Sequence, residues 1–169
     1  MSECFIYRTS KSFVKNIDKF SSIVYELFKN NISNLNNNHN IESIKKMLKS
    51  DNFFGIFVYD DQSDLVGYVL GEFQILDDSR YCYFIKYIYV VNKYKNQNIG
   101  SALLTKLKYE IKHEFGVNYI MVFSNVDDTK IYDFYIKNNF SIDMLYDKKD
   151  GYKSFMSKHY LHVLLSIYL

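Results

Sequence analysis

The segment Tyr89-Val90-Val91-Asn92-Lys93-Tyr94-Lys95-Asn96-Gln97-Asn98-Ile99-Gly100-Ser101-Ala102-Leu103-Leu104 joins an aromatic, β-branched run to an amphipathic one through a polar turn. Backbone N–H groups in such a turn, and in the first turn of the helix it opens, have no intrahelical partner. The helix dipole makes that end positive, so these groups can converge on a pyrophosphate. Gly100, with no side chain, lets a phosphate approach the main chain closely. Asn98 can take the left-handed conformation that a backbone nest requires, because Asn tolerates positive φ better than other residues with a β-carbon. Lys95 adds a positive charge. A strand, a polar turn and a helix with one glycine is also the pattern of a plain crossover connection, and the residues alone leave both readings open.

Periodicity supplies the secondary structure around this turn. Glu3 to Thr9 reads as a short strand, and Phe13, Ile17, Phe20, Val24, Leu27 and Phe28 recur at helical spacing. Seven of the eleven residues from Asn30 to Asn40 are Asn, which favours turns, and Ile41, Ile44 and Leu48 mark a second, shorter helix. Phe53 to Tyr59 and Leu65 to Ile75 form a hairpin around Asp60-Asp61-Gln62-Ser63-Asp64, and Tyr81 to Val91 is the strand that enters the polar turn. The helix after it carries Leu103, Leu104, Leu107 and Ile111 on one side. A strand at Asn118 to Phe123 comes next, then a helix from Asp128 to Asn138 with Ile131, Phe134 and Tyr135 as its apolar face. Strands at Phe140 to Tyr146 and Leu161 to Tyr168 close the chain around a turn at Asp147 to Gly151. The order βααβββαβαββ predicts an α/β protein with a mixed sheet of six to seven strands, four helices and one parallel pair.

At 169 residues the chain fits one domain spanning 1–169, and an apolar fraction of 48% supplies its core. The net charge of +2 comes from intermixed Lys and Asp/Glu, which gives no electrostatic footprint for nucleic acid. No apolar run approaches the roughly 20 residues of a membrane span, and Met1 to Ser12 lacks the charged and apolar regions of a signal peptide, so a cytoplasmic location is expected. Cys4 and Cys82 lie in apolar runs without metal-ligand spacing and read as reduced core residues.

The polar turn resembles the signature of the GCN5-related N-acetyltransferase (GNAT) family, in which a strand ending V-x-P-x-Y-R is followed by G-x-G-I-G-S-A-L-L. Tyr94, Ile99, Gly100, Ser101, Ala102, Leu103 and Leu104 match it, while Lys95 replaces the usual Arg and Asn98 the first glycine of the core. A second run, Asp127 to Phe140, resembles N-x-x-A-I-x-L-Y-x-K-x-G-F through Tyr135, Lys137 and Phe140, with Asp128 in the place of Asn and Asn139 in the place of Gly. The resemblance implies acetyl-CoA as acyl donor, held by Lys95, Asn96, Gln97, Asn98, Ile99, Gly100 and Ser101. It implies that main-chain groups of Ile88, Tyr89, Val90 and Val91 bind the pantetheine arm as an added strand, with Asp128, Ile131, Phe134 and Tyr135 also beside the cofactor.

Attack of a neutral amine on a thioester needs a deprotonated nucleophile, stabilisation of the oxyanion and a proton for the thiolate. The resemblance implies Tyr135 as the proton donor. Within the family the sequence looks most like the protein N-terminal acetyltransferases, through Asp133-Phe134-Tyr135 and His162-Val163-Leu164. That subgroup's catalytic Tyr and His fall on Phe84 and Phe123 here, and its F-P-x-x-Y peptide loop is missing. Lys86 is expected to share a face with Phe84 and to favour an acceptor carrying a carboxylate. Glu72, Tyr83 and Tyr87 are alternative bases or water-orienting groups, and Tyr152 on the closing turn would lie over the peptide. His159 and His162 read as structural. The expected reaction is acetylation of a peptide α-amine. A small-molecule amine acceptor and a non-catalytic acyl-CoA-binding module are the alternatives.

Overall fold

A computed structural model of the chain describes residues 5–10, 16–29, 40–125, 128–143 and 162–169. The elements are β1 (Ile6–Thr9), α1 (Ile17–Lys29), α2 (Ile41–Leu48), β2 (Phe53–Tyr59), β3 (Leu65–Ile75), β4 (Tyr81–Val90), α3 (Ile99–His113), β5 (Tyr119–Asn125), α4 (Thr129–Lys137), β6 (Ser141–Ile142) and β7 (His162–Tyr168). The strands form one seven-stranded sheet in the order β1-β2-β3-β4-β5-β7-β6. β4 and β5 pair in parallel from Tyr83↔Ile120 to Ile85↔Val122. The β1–β2, β2–β3, β5–β7 and β6–β7 ladders are antiparallel. This is the mixed sheet with four helices that the element order predicts.

Boundaries differ where backbone hydrogen bonds decide them. β5 runs two residues past Phe123, because Ser124 and Asn125 continue the ladder opposite Val163 and His162. The strand expected at Phe140 to Tyr146 is described only as Ser141–Ile142, since Phe140 closes the preceding helix. Asn92–Tyr94 forms a 3₁₀ turn that the apolar pattern does not announce.

The chain divides into two compact units, Met1–Glu72 with Lys86–Leu107 and Phe73–Ile85 with Lys108–Leu169. In the first, α1 and α2 lay Phe20, Val24, Ile44, Met47 and Leu48 against Phe57, Tyr59, Tyr68, Leu70 and Tyr87. α1 starts where the Asn16 side chain accepts from the Lys19 N–H at 3.0 Å. α2 starts at a reciprocal cap in which Asn40 Oδ1 accepts from the Ser43 N–H and Ser43 Oγ from the Asn40 N–H. Each such cap stabilises its helix by about 1 kcal/mol. The Tyr68 hydroxyl, buried beneath, donates to the Val24 carbonyl at 3.1 Å.

In the second unit Cys82, Phe84, Met121 and Leu164 form a smaller apolar cluster, with Cys82 a buried free thiol as expected. Arg80 is its polar counterpart, donating to both carboxylate oxygens of Asp143 at 2.7 and 3.0 Å and to Asp78. Cys4 lies outside the described residues. Among the described residues no helix is long and apolar enough to cross a membrane.

One register irregularity concerns the strand that leads into the polar turn. The Leu76 N–H donates to the Arg80 carbonyl at the β3–β4 turn, and the Val91 N–H donates to the Val66 carbonyl at the far end. From 66 to 76 β3 advances ten residues, while from 80 to 91 β4 advances eleven. β4 therefore carries one extra residue, a bulge.

Candidate active site

The loop Lys95 to Asn98 is exposed and leads into α3 at the buried Ile99. Asn96 and Asn98 both have positive φ, 67° and 61°. Alternate left-handed residues turn successive N–H groups toward one side, which makes an anion-binding concavity. Asn98 behaves as its type predicts, and Asn96 does the same. The first helical bond runs from the Ala102 N–H to the Asn98 carbonyl at 2.9 Å, so the Ile99 and Gly100 N–H groups have no acceptor within α3. The residues present thus fit a pyrophosphate: two left-handed turns, a helix N-terminus, a glycine in its first turn and an exposed Lys95.

The foot of the loop is tied down. The ring of Tyr94 is buried, and its hydroxyl donates to Asp60 Oδ2 at 2.7 Å. Asp60, 4% exposed in the β2–β3 turn, also accepts from the Gln62 and Asp64 N–H groups through Oδ1. The Tyr94 hydroxyl, followed by the Asp64 N–H, holds the Asp60 carboxyl below its ordinary range. Val91, Lys93 and Tyr94 also border a cavity of about 750 Å³ whose far wall includes Phe20, Ile23 and Leu27 of α1.

Ile88 to Val90 end β4 partly buried, and Val91 comes directly after them. Gly67 is packed against this stretch: a β-carbon there would meet the Tyr89 carbonyl oxygen at 2.8 Å, so no side chain fits. The Tyr89 ring lies 5.8 Å from that of Tyr68.

Tyr135 is buried on α4, with its ring 5.3 Å from Phe134 and 5.4 Å from Phe140. The helix end sets this geometry. The Phe140 N–H donates to the Tyr135 carbonyl and the Asn139 N–H to the Ile136 carbonyl, with Asn139 left-handed at φ 67°. That is a Schellman closure, which brings together the side chains at the positions of Tyr135 and Phe140. Lys108 Nζ caps the same end by donating to the Asn138 carbonyl. Burial pushes the Tyr135 phenol up from its ordinary value, so it stays protonated at neutral pH. At the other end of α4, Asp128 Oδ1 accepts from the Ile131 N–H at 3.2 Å, so this carboxylate acts as the N-cap. Along the apolar face, Ile131 is 46% exposed, Phe134 half-buried and Tyr135 buried.

Phe84 and Phe123 pack against each other with ring centroids 5.2 Å apart, inside the Cys82 cluster. Lys86 is exposed. Of the three alternative bases, Tyr83 is fully buried, with its ring 5.3 Å from that of Phe73. Tyr87 is buried and hydrogen-bonded with the Ser43 side chain. Burial, the larger influence, pushes its phenol up, against the lowering by Ser43. Glu72 is partly exposed and lines a pocket with α2. Tyr152, His159 and the side chain of His162 lie outside the described residues.

A profile of the acetyltransferase (GNAT) family matches residues 22–140, well over half of the chain. The chain belongs to the GNAT acetyltransferase family. No curated protein matches it by sequence. Among solved structures, the NatC complex bound to Gag peptide and CoA is similar with a TM-score of 0.74 at 16% identity, covering 98% of each chain. An acetyltransferase of the GNAT family from Streptococcus pneumoniae gives 0.69 at 13% identity, covering 98% of this chain and 100% of that one. A spermidine N-acetyltransferase chimera from Vibrio cholerae SpeG and hSSAT gives 0.68 at 15% identity, covering 97% and 95%. At these identities the likeness is one of fold.

Two features of this GNAT chain differ in how far the sequence announces them. Asp60 is, by sequence, one turn residue among several, because its partner Tyr94 is 34 positions away. Asn139 has a usable signal: a left-handed helix end is what a glycine at the family's matching position would supply.

Proposed function

We propose that this GNAT chain transfers the acetyl group of acetyl-CoA to the α-amine of a peptide N-terminus. The observation that carries the donor side is the pair of left-handed residues, Asn96 and Asn98, at the N-terminus of α3. Acetyl-CoA, when bound, supplies an activated thioester carbonyl and a thiolate leaving group. The N–H groups from Asn96 to Gly100 would bind the pyrophosphate, with Gln97 and Ser101 flanking them and Lys95 adding charge. Main-chain groups of Ile88 to Val91 would hold the pantetheine arm as an added strand. Ile131 and Phe134 on α4 would cover apolar parts of the cofactor.

Tyr135 holds the proton at its hydroxyl for the departing thiolate. Its apolar surroundings keep that proton in place until a negative charge forms nearby, and a thiolate leaving into apolar surroundings is itself more basic than its usual value of about 8.5. Phe84 and Phe123, at the positions that match the resembling subgroup's catalytic Tyr and His, offer no proton acceptor. An α-amine with a pKa of about 8, against about 10.4 for lysine, is already partly neutral at pH 7 and needs little help from a base.

The test is a competition assay with acetyl-CoA, in which peptides with free or blocked N-termini, each with an internal lysine, are offered together with spermidine. The free N-terminus should be acetylated fastest. Faster acetylation of the blocked peptide or of spermidine would overturn the α-amine assignment in favour of a lysine or small-molecule acceptor.

A further inference from the structure

A peptide acceptor brings its second and third residues along with its α-amine, and a pocket in the first unit bears on their chemistry. Between α2 and β3 lies a cavity of about 520 Å³ lined by Glu42, Lys45, Lys46, Lys49, Ser50 and Glu72. That is large enough for the first residues of a peptide, since pockets for small ligands run from about 300 to 1,000 Å³.

Its charges fall into two groups. Lys45 Nζ lies 3.2 Å from Asp18 and 3.3 Å from Glu42, so that lysine and Glu42 are already paired. Lys46 and Lys49, one turn apart at the end of α2, are exposed and make no ion pair among the described residues. Glu72 faces them from β3, and its charge is felt by Tyr87, which the Ser43 side chain ties to α2. With Lys45 shared between Glu42 and Asp18, the remaining lining charges are two cations on the helix wall and one carboxylate on the strand wall. A ligand that matches has an ammonium group at one end and carboxylates a short distance away.

We infer that this pocket receives the acceptor and selects peptide N-termini whose second and third residues are acidic, with Glu72 drawing the α-ammonium and Lys46 and Lys49 the side-chain carboxylates. This rests on the α-amine reading and adds a substrate class to it. The selecting charge is then carried by α2 rather than by Lys86. Because Lys46 and Lys49 are exposed, the preference is strongest at low ionic strength and fades as salt is raised past about 0.1 M, where the Debye length is near 10 Å.

The experiment is titration calorimetry in the presence of CoA, with two free-N-terminus peptides that differ only in carrying Asp-Glu or Lys-Lys at positions two and three. Each is also offered with its N-terminus acetylated. The wild type should bind the acidic peptide about tenfold tighter or more at low salt. Lys46→Glu/Lys49→Glu, changed only at exposed positions, should reverse the order. Glu72→Gln should weaken the free peptides while leaving their acetylated forms unchanged. Equal binding of the two peptides, no binding of either, or a preference that survives the double substitution would overturn the inference. Because binding is read without turnover, acidic preference without acetyl transfer counts against the enzymatic reading alone. Transfer without preference counts against the pocket alone.

Discussion

The Tyr94 hydroxyl donates to Asp60 Oδ2 at 2.7 Å, so a carboxylate in the β2–β3 turn holds the foot of the loop that carries Asn96, Asn98 and Gly100. The loop itself is exposed. Its conformation therefore depends on what fixes its ends, α3 on one side and this bond on the other.

Replacing Tyr94 by Phe should lower the melting temperature and weaken CoA binding together, and the loss of stability should depend on pH. Asp60 is held below its ordinary range chiefly by the Tyr94 hydroxyl, so the stabilisation is fully present above the unfolded carboxyl value of about 3.9 and is lost as pH falls through the folded value. The gap in melting temperature between wild type and Tyr94→Phe should be constant above about pH 5 and shrink below about pH 4. A gap that persists unchanged at pH 3 would show that the carboxylate is not the partner that matters.

Gly100→Val should weaken CoA binding by at least about tenfold, which is 1.4 kcal/mol, because a branched side chain blocks close approach of a phosphate to the first turn of α3. Calorimetry on the folded variant is the check. Unchanged affinity would remove the loop from the binding site.

For Tyr135→Phe the expected outcome is a fall in kcat of about 10² or more, with CoA affinity nearly unchanged. The ring, and so its packing against Phe134 and Phe140, is kept. Since burial raises the phenol, the wild-type rate should show no loss from Tyr135 deprotonation up to about pH 10, its ordinary value. Equal turnover in mutant and parent would leave Tyr135 a packing residue.

Arg80→Ala tests the second unit. The substitution leaves Asp143, whose side chain is 2% exposed, as a buried carboxylate without its bidentate partner. Loss of one member of a buried pair costs about 3 kcal/mol. A shift in the denaturant midpoint with unchanged slope would register it, and a shift of under about 1 kcal/mol would mean the pair is solvated in solution.

The sheet is legible in the sequence because the runs Phe53–Tyr59, Leu65–Ile75 and Tyr81–Val90 are aromatic and β-branched and are separated by Asp-rich turns. The loop is legible because Asn98, a residue type that tolerates positive φ, takes a left-handed conformation just before α3 and Gly100 follows in the first turn. The extra residue in β4 is not: Tyr81 to Val91 is apolar or aromatic at nearly every position, so no alternation remains to reveal a change of face. The Arg80–Asp143 and Tyr94–Asp60 pairs join residues 63 and 34 positions apart, beyond what local spacing can show.

The bulge also decides which residues can meet beyond the strand. A hairpin that zips from Leu76–Arg80 in strict step would set Val66 against Val90 instead of Val91, a register that side-chain alternation does little to forbid in so apolar a strand. In that slipped form every residue after the strand arrives one place late, and Tyr94 is displaced from Asp60. The bond between those two side chains is therefore compatible only with the hairpin that has taken up its extra residue.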